Sequence, residues 1–102
     1  MKLWLDDIRD PAANGCVGFS WVKTAADAIA ALATGEVTFA SLDHDLSVEA
    51  TLGNWRNEIT GYDVVCWMEE NGVWPRDGVR VHSMNPVGRR RMQVVIDRHY
   101  RE

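Results

Sequence analysis

Apolar and polar positions alternate along the chain in short blocks whose period switches between that of a strand and that of a helix. Lys2-Leu3-Trp4-Leu5 is a brief apolar run closed by two carboxylates, Asp6 and Asp7, and predicts a buried strand. Residues 9–16 contain Asp10-Pro11 and Asn14-Gly15, both turn signals. Val17 to Val22 predicts a second strand. Thr24 with Asp27 three residues on resembles a capping box, and Ala25 to Ala33 reads as a helix stopped by Gly35. Val37 to Leu42 predicts a third strand, closed by Asp43-His44-Asp45. Residues 46–60 are polar without a clear period and read as a long loop or a short helix. From Gly61 to Asn71, Val64, Val65 and Met68 share one helical face, with Gly72 as the stop. Val79 to Ser83 predicts a fourth strand. Asn85 then Pro86 predicts an N-cap and first turn, and Met92, Val95, Ile96 and His99 form the expected buried stripe of a last helix.

Strands alternating with helices predict an α/β domain with a mostly parallel sheet. The first connection is the awkward one. About ten residues separate the first two predicted strands, while a parallel crossover needs roughly a dozen or more, so either the second strand is shifted or the crossover is unusually tight.

The 102 residues support one domain, 1–102, and the balance of 46% hydrophobic to 25% charged is that of a globular chain. No apolar run is long enough for a membrane span, and the N-terminus reaches acid too soon for a signal peptide. Two cysteines, Cys16 and Cys66, are too few for a disulfide framework, so free thiols in a cytoplasmic protein are expected. A net charge of −4 argues against general binding to duplex nucleic acid, but residues 86–102 carry +3 and the rest −7. Nine of the eleven basic residues are arginine, the better bidentate clamp for phosphate.

Three predicted strands end in polar residues: Asp6-Asp7, Asp43-His44-Asp45 and His82-Ser83-Met84-Asn85. Ligands of open α/β sheets bind beyond the carboxyl ends of strands where strand order reverses. An order of 2-1-3-4 would crowd Asp6, Asp7, Asp43 and Asp45 together, with His82 and Ser83 alongside. Carboxylates that close must be protonated, paired or bound to a cation, and an all-oxygen set suits Mg²⁺ or Mn²⁺. A single strand-end Asp more often caps a turn; recurrence in step with the strands reverses that preference.

Leu5-Asp6-Asp7-Ile8-Arg9-x-Pro11, Leu42-Asp43-His44-Asp45-Leu46, Thr60-Gly61-Tyr62-Asp63 and Val81-His82-Ser83-Met84-Asn85-Pro86-Val87-Gly88-Arg89 together resemble the cyclic-phosphate-processing receiver domains. The resemblance runs from Leu3 to about Met92. It implies a small receiver-like (flavodoxin-like) three-layer sandwich with a four-stranded sheet in order 2-1-3-4, and enzymes inferred to act on cyclic phosphates. Asp6 and Asp7 resemble the receiver's acidic metal-binding pair, Asp43 its phosphoacceptor and Ser83 its strand-four hydroxyl. The fifth receiver strand has no counterpart among the predicted elements, the last of which is a helix, and its lysine has none because Lys2 and Lys23 both lie in the N-terminal quarter.

Opening a cyclic phosphodiester needs charge neutralisation, an activated water and a proton for the leaving oxygen. The expected metal ligands are Asp6, Asp7 and Asp43, with Asp45 a further ligand or an orienter of histidine. His44 and His82 are the candidate base and acid, since imidazole titrates near neutrality. Arg9, Ser83, Asn85, Gly88 and Arg89 are the expected substrate contacts: Asn85 opens a helix whose first N–H groups attract anions, Gly88 permits close approach, and Arg89 offers a fork to phosphate. Arg89, Arg90 and Arg91 cannot all face one way. Trp4, Trp21 and Trp67 fit core positions, while Trp55 in the polar stretch is either a loop anchor or a base-stacking platform. The functions in play are a metal-assisted phosphoesterase acting on 2′,3′-cyclic phosphate RNA ends or cyclic nucleotide signals, as in antiviral defence or its evasion, a non-catalytic cyclic-nucleotide-binding module, and a receiver-type switch phosphorylated on Asp43.

Overall fold

The computed structural model describes residues 1–46 and 60–100. Four strands, β1 (Lys2–Leu5), β2 (Phe19–Val22), β3 (Phe39–Leu42) and β4 (Val79–Val81), form one parallel sheet in the order β2-β1-β3-β4. Three helices accompany them: α1 (Ala25–Ala33), α2 (Gly61–Asn71) and α3 (Pro86–Tyr100). The α/β class and strand order are those the pattern predicts.

Side-chain alternation gives the sheet two unlike faces. Leu3, Leu5, Ala40 and Leu42 point into one buried cluster with Ala28 and Leu32 of α1, Val64, Val65 and Met68 of α2, and Met92, Val95 and Ile96 of α3. Right-handed crossovers running β2 to β3 and β3 to β4 in the same direction put α1 and α2 on that same face. The opposite face carries Trp4, whose indole N–H donates to Arg9 O at 2.9 Å, and Arg80, whose guanidinium reaches Cys16 Sγ. The β1–β2 connection therefore crosses this face, and its only helical element among the described residues is a 3-10 turn, Ala12–Asn14. This outer layer is thin.

The awkward crossover resolves by a shift. β2 begins at Phe19 rather than Val17, after Gly18 at φ +88°, so residues 6–18 are long enough for a parallel return. β3 likewise starts at Phe39. β4 ends at Val81, which frees His82 and Ser83 from strict strand alternation.

The helix ends follow their side chains. Thr24 Oγ1 accepts from Asp27 N, and at α2 Thr60 and Asp63 form a reciprocal capping box. Two core expectations fail. Trp21 is 37% exposed on edge strand β2, and His99 is exposed, stacked on Trp74 at the rim, because beyond Ile96 it is Tyr100 that packs against the core. The expectations for Trp55 and the polar stretch around it lie outside the described residues. Cys16 and Cys66 are free thiols. No helix among the described residues is long and apolar enough to cross a membrane.

Candidate active site

The parallel ladder continues one step past each strand. Asp6 N donates to Val22 O, Asp43 N to Leu5 O and His82 N to Leu42 O, at 2.9–3.1 Å. That extra step sets the tips of β1, β3 and β4 side by side. Asp6, Asp43 and His82 each offer a ligand atom within 4.8 Å of the others.

Asp6 is almost wholly buried yet fully satisfied. Its Oδ1 accepts the N–H groups of Ile8 and Arg9, both at 2.9 Å, and its Oδ2 faces His82 Nε2 at 3.1 Å. Asp43 Oδ1 accepts His44 N at 2.8 Å. Burial, together with the neighbouring Asp6 charge, raises the Asp43 pKa from 3.8 to about 6, although Arg9 and the His44 N–H pull the other way. Two carboxylates held together with an unneutralised charge suit a divalent cation. The donor set fits one: carboxylate oxygens alone suit Mg²⁺, and adding the imidazole nitrogen suits Mn²⁺.

His82 lies behind this pair, its ring stacked on Trp4 with centroids 3.9 Å apart and planes 5° apart. Its Nδ1 faces Ser41 Oγ at 2.8 Å, and Arg80 Nε donates to the same oxygen at 3.3 Å. Burial lowers the His82 pKa, despite the opposing pull of Asp6.

The second histidine belongs to a separate group. His44 Nδ1 pairs with Asp45 Oδ1 at 2.7 Å, and Asn85 Nδ2 donates to that same oxygen at 3.2 Å. The His44 hydrogen bond holds the Asp45 pKa below its ordinary value. Asn85 Oδ1 accepts Gly88 N at 3.0 Å, which makes it the N-cap of α3. Gly88 packs directly on the imidazole: a Cβ there would lie 2.4 Å from a ring carbon of His44.

A hollow of about 180 Å³ opens above the acidic pair. Asp6, Asp7, Arg9, Asp43 and Asp45 line it, with Ile8 and Met84 as apolar flanks that are 73% and 78% exposed. Asp7 thus shares the hollow but not the close three-atom set, where His82 stands instead. Neither imidazole is part of the lining among the described residues. Ser83 is buried and its Oγ accepts Asn85 N, so its hydroxyl shapes the turn. Arg89 is exposed outside the hollow, and Arg91 lies over the Tyr62 ring. Lys2 and Lys23 cover the aromatic rings of β2.

Sequence reasoning missed four supporting residues. Ser41 meets His82 and is itself held by Arg80, and Trp4 backs the imidazole ring. Gly61 abuts the Asp43 carbonyl so tightly that any Cβ would collide with it. The strand alternation that faces Trp4, Ser41 and Arg80 the same way was the available signal for three of them; Gly61 stood in a recognised string without a role.

A family model described as the cyclic-phosphate processing receiver domain matches residues 1–98. No curated protein and no solved structure matches the chain.

Proposed function

The chain belongs to the cyclic-phosphate processing receiver domain family, and we propose that it is a small cytoplasmic phosphoesterase that opens cyclic phosphates with the help of a divalent cation. The observation that carries this reading is the pairing of Asp6 with Asp43, whose pKa burial and the Asp6 charge raise to about 6, in one hollow beside Arg9.

In the proposed reaction a water oxygen bonds to phosphorus, one ring P–O bond breaks, and the freed oxygen takes a proton. Mg²⁺ or Mn²⁺, when bound, supplies neutralisation of the phosphate charge. Asp6 and Asp43 would hold it, with Asp7 at the same rim. Arg9, which lines the hollow, contacts a non-bridging oxygen. Asp45 fixes Nδ1–H of His44, which leaves Nε2 to exchange the proton between water and leaving oxygen. Ile8 and Met84 offer apolar surface to a base or sugar, which favours a compact nucleotide or RNA-end 2′,3′-cyclic phosphate over a bare one.

The test is turnover of a panel of cyclic nucleotides by purified protein, with and without chelator. Ring-opened products that vanish with chelator support the reading. Tight binding with unaltered ligand supports instead the non-catalytic binding module, a reading favoured by the position of both imidazoles outside the lining. Phosphoryl uptake on Asp43 from small donors, without turnover, would favour the receiver-type switch.

A further inference from the structure

The hydrogen bonds around His82 fix a direction. Arg80 Nε has only a hydrogen to give, so Ser41 Oγ accepts from it at 3.3 Å. The Ser41 hydroxyl hydrogen is then free for the one other partner it meets among the described residues, His82 Nδ1 at 2.8 Å. A nitrogen that accepts this hydrogen carries none itself, so in the neutral ring the proton sits on Nε2. That nitrogen faces Asp6 Oδ2 at 3.1 Å, an acceptor that requires a donor. Both ends of the ring agree.

We infer that Arg80 and Ser41 are positioning residues that hold His82 as its Nε2–H tautomer, so that His82 braces the Asp6 carboxylate instead of ligating a cation. Asp6 then receives three N–H donors, from Ile8, Arg9 and His82. Ligation through Nε2 would require that nitrogen to lose its proton and Nδ1 to gain one. Ser41 Oγ would then accept twice, leaving its own hydrogen without the partner it has now. Sheet burial makes that costly, because Ser41 is wholly buried and His82 is clamped against Trp4. The functional meaning of the brace rests on the phosphoester reading; the tautomer itself does not.

The test is nitrogen-15 NMR of the imidazoles in the whole chain near neutral pH. The expected spectrum has His82 neutral with a protonated Nε2, and saturating Mg²⁺ leaves that N–H in place. Arg80→Met, at an exposed position, and Ser41→Ala are each expected to speed solvent exchange of the Nε2–H at least tenfold. An Nδ1–H tautomer or an imidazolium in the wild type, loss of the Nε2 proton on adding Mg²⁺, or unchanged exchange in Arg80→Met would each overturn the inference. The Arg80 variant keeps the test decisive should Ser41→Ala fail to fold. Absent turnover with the expected tautomer would remove the phosphoesterase reading and leave the brace standing.

Discussion

Gly88 lies against the ring of His44 so closely that a single added carbon would sit 2.4 Å from the imidazole. Gly88→Ala sets two effects against each other. Alanine is worth about 1 kcal/mol over glycine inside a helix. The methyl must nevertheless push the imidazole off Asp45. The expected outcome is a chain that still folds, with a melting temperature within a few degrees of wild type and turnover of cyclic nucleotides reduced at least tenfold. Thermal unfolding and product assay on the same sample decide it.

Asp43 predicts a pH dependence with a definite sign. Its pKa rises on folding from 3.8 to about 6, so between those values the folded protein binds more protons than the unfolded chain. Stability therefore falls as pH rises through that window, by about 2–3 kcal/mol, and levels off above it. Asp43→Asn keeps an oxygen for the His44 N–H while removing the charge. It is expected to flatten the pH slope, raise stability above pH 7 by about 2 kcal/mol, and abolish turnover. Denaturant unfolding at several pH values reads the first two, and an unchanged slope would count against the site's electrostatics.

His82→Ala removes a stacked ring worth roughly 0.5–1.5 kcal/mol and two hydrogen bonds of about 1 kcal/mol each. A loss of about 2–4 kcal/mol is expected, with the fold retained. A double-mutant cycle with Trp4→Leu should show about 1 kcal/mol of coupling. Additive losses would mean that the stack contributes nothing.

Arg9 lines the hollow and Arg89 does not. Arg9→Ala should weaken cyclic-nucleotide binding by about 1.5–3 kcal/mol, the usual range for a hydrogen bond to a charged group. Arg89→Ala should cost less. Calorimetric titration ranks the two, and a reversed order would move the phosphate toward the first turn of α3.

Ile8→Ser combined with Met84→Ser should raise KM for a nucleoside 2′,3′-cyclic phosphate about tenfold while leaving a base-free cyclic phosphate unaffected. Equal effects on both substrates would show that the apolar flanks do not read the base.

Much of the architecture was legible because local signals are cheap to read. Capping at Thr24 and Thr60, the stop at Gly72 and the Asn85-Pro86 helix start are decided within four residues. Alternation in β1 and β3 fixes which side chains meet the helices. Boundaries were less legible: Val17 and Val37 look like strand but lie outside the ladder, since pairing needs a partner that the local sequence does not contain. Trp21 and His99 were misplaced for the same reason. Aromatic character predicts burial on average, while exposure depends on whether a strand is at an edge and where a helix passes the core.

By itself, the order of residues along the chain determined the α/β class, the polar tips of three strands and the candidate set Asp6, Asp43, His44 and His82. Only the three-dimensional packing decided that these divide into two groups, Asp6 with Asp43 and His82, and His44 with Asp45 and Gly88. It also decided that Ser41 and Arg80 govern His82. The reason is physical. A strand ending reports where a carboxylate stops being buried, but its partners come from chain segments some forty to eighty residues away, brought alongside only when the sheet forms.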